Sequence, residues 1–198
     1  MSTLPKVCII GAGSSGIAVV KALKDRGIPY DCFEASDQVG GNWCFRNKNG
    51  MSAAYESLHI NTDSRLMEYR DYPMPESTPD YPSHRVIMDY FNDYVDHFGL
   101  RETITFETAV EHAGRRDDGL WSVTLESGET RLYDALIVAN GHHWDPRLPD
   151  PAYPGHFDGV EMHSHAYLTP EDPMDFRGKK VLIVGMGNSA MDIACELS

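Results

Sequence analysis

The sequence is short of positive charge: 17 Lys and Arg stand against 30 Asp and Glu, a formal net charge of −13. A surface of that sign repels nucleic acid and anionic lipid unless a local basic patch overrides it. The longest basic cluster, Arg115-Arg116, runs straight into Asp117-Asp118, so no nucleic acid partner is expected. Long apolar runs are missing as well. No stretch approaches the roughly 20 residues that a membrane-spanning helix needs, and the N-terminus lacks the basic-then-apolar order of a secretion signal. The expectation is a cytoplasmic protein with no membrane segment. Cysteine is scarce, and Cys8, Cys32, Cys44 and Cys195 show no C-x-x-C spacing, which argues against a disulfide framework or a zinc knuckle. Cys8 and Cys32 fall inside apolar strand-like runs, where a reduced Cys acts as a small hydrophobe.

What is present suffices for a globular protein. With 198 residues, 41% of them hydrophobic, the chain can bury one domain and begin a second. Lys6 to Ile10 is a short apolar run followed by a glycine-containing turn and then by Ile17, Val20 and Leu23 at helical spacing, which predicts strand, turn and helix. Gly27 closes the helix, and Tyr30 to Phe33 reads as a second strand ending at Glu34. From Ala35 to about Pro82 the chain is rich in Gly, Asn, Asp and Pro and is expected to wander over the surface. Arg85 to Phe98 reads as an amphipathic helix with Val86, Tyr90, Tyr94 and Phe98 on one face, capped by Gly99. Residues 103–133 alternate as antiparallel strands do, with a hairpin through Ser127-Gly128, and Ala135 to Ala139 is another buried strand. A Pro-rich stretch, 146–173, suits a linker. Val181 to Val184 then predicts a fresh buried strand leading into Gly185-Met186-Gly187-Asn188-Ser189-Ala190, so the strand–glycine–helix start occurs twice.

Gly11, Gly13 and Gly16 form G-x-G-x-x-G after a strand and at the head of a helix, the context in which this pattern binds a dinucleotide. The first glycine makes the tight turn, the second lets the pyrophosphate approach the backbone, and the third lets helix pack on strand. Glu34 stands at the end of the second strand, where a carboxylate accepts hydrogen bonds from both ribose hydroxyls and disfavours a 2′-phosphate. Gly40-Gly41-Asn42-Trp43 follows. In this order the features resemble those of the flavin-containing monooxygenases. The resemblance implies FAD at the first site, held by Gly11, Ala12, Gly13, Ser14, Ser15, Gly16, Glu34, Gly40, Gly41, Asn42 and Trp43.

Phe157 to Tyr167, with Gly159 and His163 between, is similar to the FxGxxxHxxx(F/Y) fingerprint of the same family. The likeness implies a positional role for His163 between two cofactor sites, while on the residues alone Phe157 and Tyr167 read equally as packing residues and His163 as a satisfied polar side chain. Baeyer–Villiger relatives usually carry Trp at the last position, so Tyr167 favours the flavin-containing branch. Gly185, Gly187, Asn188, Ser189 and Ala190, with the following Asp192, resemble the NADPH motif. Asn61, in Leu58-His59-Ile60-Asn61-Thr62, aligns by order with the family Asn that lies near the flavin, and Asp71-Tyr72-Pro73-Met74-Pro75 supports that register. This implies Asn61 as the catalytic residue, Thr62 as an FAD contact and Ile60 as a contact of NADPH together with His163. Without the family, Asn61 reads as a loop Asn making an Asx turn. The family's ATG after the last FAD-domain strand is here Ala139-Asn140-Gly141.

The expected fold is therefore α/β: a Rossmann-like FAD-binding domain at 1–150, a parallel sheet with an antiparallel β insert, then a linker at 151–178 and the start of a second Rossmann-like, NADPH-binding domain at 179–198. The helix from Asn188 carries no stop signal, so a truncated second domain is expected. The resemblance implies an enzyme that uses FAD, NADPH and O2 to oxygenate a nucleophilic sulfur or nitrogen of a small molecule, with homodimerisation left open. The alternatives are a Baeyer–Villiger monooxygenase or a non-catalytic FAD-binding module. A disulfide reductase needs a second Cys five residues after Cys44, which is absent. His142, His143, His163 and His165 lack strong ligand spacing, so no metal is expected.

Overall fold

The computed structural model describes residues 4–198. Its first strand, β1 (Val7–Ile10), is followed by helix α1 (Ser14–Asp25) and a parallel strand β2 (Tyr30–Phe33). A long excursion contains a 3-10 turn at Gly41–Trp43 and the single-turn helix α2 (Ser64–Met67), and it leads into α3 (His84–His97). The chain then forms β3 (Ile104–Thr105), β4 (Val110–Arg115), β5 (Trp121–Leu125), β6 (Thr130–Tyr133) and β7 (Ala135–Val138). The last helix is α4 (Asn188–Glu196).

Strands β3-β2-β1-β7 make a parallel sheet in that order, and β4-β5-β6 an antiparallel one. The central strand β1 is buried on both faces and so reads as an unbroken apolar run, whereas β7 at the sheet edge is only half-buried, with Val138 61% exposed, and is not the fully buried strand its composition predicts. The alternation of side chains divides the core in two. Val7, Ile9, Cys32 and Ile137 face the helices with Ile17, Val20 and Phe91, whereas Cys8, Phe33 and Leu136 face the antiparallel sheet with Val123, Leu125 and Tyr133. Asp31 links the two sheets, accepting from Tyr133 Oη at 2.7 Å and pairing with Lys6 Nζ at 2.8 Å.

Three local expectations need correction. Ile104–Thr105 pairs in parallel with Cys32–Phe33 and belongs to the main sheet; two residues are too few to display a strand period. The buried stripe of α3 is Ile87, Tyr90, Phe91, Tyr94 and Val95, with Val86 and Phe98 only half-buried. A strict i+4 row rotates by about 40° per step around a helix of 3.6 residues per turn, so a face needs i+3 members too. Finally, Val181 to Val184 makes no strand pairing among the described residues, and Leu182 is 87% exposed. A strand exists only beside a partner, and these residues pair with none. The excursion at 35–82 is better packed than its composition suggests, since Tyr55, Ile60 and Met74 are buried. Among the described residues no helix is long and apolar enough to cross a membrane.

Candidate functional site

At the C-terminal end of β1 the backbone turns at Gly11, whose φ is +95°. A Cβ there would lie 2.6 Å from the Ala139 carbonyl oxygen, and a Cβ on Gly16 would lie 2.0 Å from the Gly11 carbonyl oxygen. Both glycines are required by backbone approaching backbone. Gly13 differs, because its nearest neighbour would be Gly41 Cα at 3.8 Å; space remains above it. The turn lies between β2 and β7 at the point where the sheet order diverges from β1, the usual crevice for a ligand in an open α/β sheet.

Three backbone N–H groups at the head of α1, those of Ser14, Ser15 and Gly16, meet no acceptor among the described residues. With the positive end of the helix dipole behind them, they offer the donors that an anion such as a phosphate could take. The amide of Ala12 is already used: it donates to Glu34 Oε2 at 2.6 Å, while Glu34 Oε1 accepts from Ser36 N at 2.8 Å. Glu34 is 7% exposed and thus clamps the turn before any ligand arrives. A carboxylate offers about four acceptor positions, so two remain for hydroxyls.

The Gly40–Trp43 segment abuts this turn. Gly40 N donates to Ala12 O at 3.1 Å, and the Cβ position of Gly41 lies 3.3 Å from Gly13 Cα. Gly40, with φ +107°, leaves room for Met88 of α3, whose Sδ stands 2.3 Å from where a Cβ would be. Asn42 turns inward to accept from Ala53 N at 2.9 Å, and Trp43 packs on the main core. The structure therefore brings Gly11–Gly16, Glu34 and Gly40–Trp43 together.

Ile60 is buried, whereas Asn61 and Thr62 are exposed. The Asx turn of this loop is made by Asp63, which accepts from Arg65 N at 2.7 Å and caps α2; Asn61 is left out of it. The loop is strapped to α1 at two points, Asp71 to Lys21 at 2.6 Å and the Tyr69 hydroxyl to the Ser14 carbonyl at 2.5 Å. An open cavity of about 340 Å³ beside it is lined by Ser14, Ser15, Ala18, Met67, Tyr69 and Phe91. The pattern around Tyr69 carries no sign of that bond, which spans 55 positions of sequence. Asn140 is exposed next to Gly11.

The second glycine motif has Gly185 at φ +139° and Gly187 at the N-terminus of α4. A Cβ on Gly185 would meet the Ala190 methyl at 3.6 Å, an ordinary van der Waals distance. Asp192 accepts from Tyr55 Oη at 2.6 Å, and Glu196 accepts from Ser57 Oγ at 2.7 Å and Tyr167 Oη at 3.0 Å. Burial and these carboxylates push both phenols well above the ordinary tyrosine range. Here Asp192 and Glu196, one turn apart, fasten α4 to residues 55–57 and to the fingerprint. Within the fingerprint, Tyr167 is 2% exposed and Phe157 62%. His163 Nδ1 accepts from His165 N at 3.0 Å, a local cap. Among the described residues no group of three or more His, Cys, Asp or Glu is placed to hold a metal ion.

Cys44, just after the Gly-Gly segment, is buried and its thiol is pushed up to about 11; burial raises Cys8 and Cys32 to about 12. A redox-active Cys needs a stabilised thiolate, which none of these three has. In the native chain Ellman's reagent is expected to modify only Cys195 rapidly, the other three thiols reacting on denaturation. Fast labelling of Cys44 would reopen thiol chemistry.

A family model described as flavin-binding monooxygenase-like matches residues 4–198. Flavin-containing monooxygenase 5 of Oryctolagus cuniculus is 37% identical, the alignment covering 98% of this chain and 38% of the relative. Dimethylaniline monooxygenase [N-oxide-forming] 4 of Homo sapiens is 39% identical, with 98% and 36% covered. Among solved structures, S-allyl-L-cysteine S-oxygenase from Allium sativum superposes with a TM-score of 0.86 at 28% identity, covering 98% of this chain and 49% of that one. The complex of OTEMO with FAD and NADP gives 0.77 at 27%, with 100% and 37% covered. The chain thus spans a little over a third of the length of the curated relatives it matches.

Proposed function

Because the chain belongs to the flavin-binding monooxygenase-like family, we propose that the whole protein is an FAD-dependent, NADPH-consuming monooxygenase that transfers oxygen from O2 to a nucleophilic sulfur or nitrogen of a small molecule. Residues 1–150 form the FAD-binding domain, 151–178 the linker and 179–198 the start of the NADPH-binding domain. The observation that carries this reading is the head of α1, where three unpaired amides, the space above Gly13 and the Glu34 carboxylate stand together.

Those residues fit FAD. The amides of Ser14, Ser15 and Gly16 bind the pyrophosphate, and Glu34 directs its two free acceptor positions to the ribose hydroxyls, where a 2′-phosphate would be repelled. Gly11, Ala12 and Gly40–Trp43 shape the turn. Bound FAD supplies the redox chemistry, hydride acceptance from NADPH and reaction with O2. The chain's part is to bind, orient and exclude water. Asn61 and Thr62 line the flavin side of the excursion; the Asn61 amide both donates and accepts, which suits a site for neutral oxygen species. Ile60, His163, Gly185, Gly187, Asn188, Ser189, Ala190 and Asp192 serve the NADPH side, with the head of α4 toward its pyrophosphate.

The test is consumption of NADPH and ¹⁸O2 by the whole protein offered a thioether, a tertiary amine or a cyclic ketone. The expected result is an equimolar yield of labelled sulfoxide or N-oxide. Conversion of the ketone alone, to a labelled lactone, would assign Baeyer–Villiger chemistry instead. NADPH oxidation yielding only hydrogen peroxide would reject oxygen transfer.

A further inference from the structure

We propose that Tyr69 is a positioning residue for the pyrophosphate: its hydroxyl, donating to the Ser14 carbonyl, fixes and polarises the peptide whose other end is the Ser15 N–H. The inference rests on the reading of the first site as an FAD site.

The Ser14 carbonyl and the Ser15 N–H belong to one planar peptide group. A donor on the oxygen draws charge through that group and makes the N–H a stronger donor. The Ser15 N–H is one of the unpaired amides at the head of α1, so the bond acts on a group that faces the ligand. Ser14 is also the first residue of α1, whose carbonyls find intrahelical donors. The 2.5 Å bond from Tyr69 is additional to what the helix needs.

The hydroxyl is aimed by its surroundings. The Tyr69 ring lies 4.4 Å from that of Tyr94 and 5.8 Å, stacked, from that of Tyr90. Its own backbone N–H donates to Tyr90 Oη at 2.6 Å, and Tyr90 Oη donates to Tyr72 O at 2.6 Å. The Lys21–Asp71 pair holds the same strap farther along α1. Burial keeps the Tyr69 phenol protonated, so it remains a donor across the working pH range.

The experiment is an FAD titration of the whole protein followed by flavin fluorescence, with thermal unfolding of the ligand-free forms. Tyr69→Phe keeps the ring and removes one hydroxyl. The control is Tyr72→Phe, which removes from the same cluster a hydroxyl that makes no hydrogen bond to the described residues. Tyr69→Phe is expected to weaken FAD binding about 5-fold, the worth of one hydrogen bond, with the ligand-free midpoint near that of the parent; Tyr72→Phe is expected to bind FAD as the parent does. Unchanged affinity in Tyr69→Phe, an equal loss in Tyr72→Phe, or loss of the native circular dichroism in Tyr69→Phe would each overturn the positioning role while leaving the FAD site standing. A parent protein that binds no FAD would overturn both.

Discussion

Gly16→Ala is expected to raise the dissociation constant for FAD by about 100-fold or more and to lower the thermal midpoint by about 10 °C. The added methyl would sit 2.0 Å from the Gly11 carbonyl oxygen, and no side-chain rotation relieves a clash with backbone. Strand and helix must move apart, at a cost of about 3 kcal/mol, the upper part of the range for overpacked cores. In a chain of this size that is roughly 6–12 °C, and the same displacement misplaces the amides that we propose meet the pyrophosphate. Gly13→Ala separates the two effects. Its Cβ would approach Gly41 Cα no closer than 3.8 Å, so the fold is expected to tolerate the methyl while FAD binding is lost to the occupied space. Calorimetry and flavin titration on both variants check this. Parent-like affinity in Gly16→Ala would sink the packing argument, and parent-like affinity in Gly13→Ala would sink the placement of the pyrophosphate.

Glu34→Ala is expected to be comparably damaging to the fold, for a different reason. Two N–H groups, of Ala12 and Ser36, lose their acceptors in a buried place. Leaving a buried donor unpaired costs about 1–3 kcal/mol each, so a loss of roughly 2–6 kcal/mol is expected in urea unfolding, before any ligand is added. FAD affinity falls further as the ribose hydroxyls lose their partner. Glu34→Gln retains one accepting oxygen and should fall between the two. If Glu34→Ala unfolds at the parent urea concentration, the clamp is not holding the turn.

Much of the first turn's geometry was legible in the sequence, because glycine spacing after an apolar run reports backbone geometry and an acid at the end of the next strand falls beside that turn. The second use of Glu34, as acceptor for the turn itself, was not legible, since a carboxylate looks the same whichever donors surround it. Neither were the anchors of α4. Tyr55 and Asp192 are 137 positions apart, and nothing local marks either as the other's partner. Phe157 and Tyr167 belong to one short motif, yet one is exposed and the other buried; sequence pattern locates an aromatic residue but not the neighbours that cover it. Val181 to Val184 failed for the same reason, since apolar β-branched composition states a preference that only a neighbouring strand can satisfy.

That unpaired segment has a consequence for how the chain behaves in a tube. Val181, Leu182 and Val184 expose apolar side chains along a backbone without ladder partners, and such stretches template pairing between molecules. Lys179 and Lys180 precede it, placed as gatekeeping charges are, and the whole chain repels its copies through a net charge of −13. Colloidal stability then depends on electrolyte. As the screening length shrinks from about 10 Å at 0.1 M salt to about 3 Å at 1 M, repulsion fades while apolar attraction does not, and concentrated stocks keep best in dilute buffer away from the isoelectric region near pH 5.0.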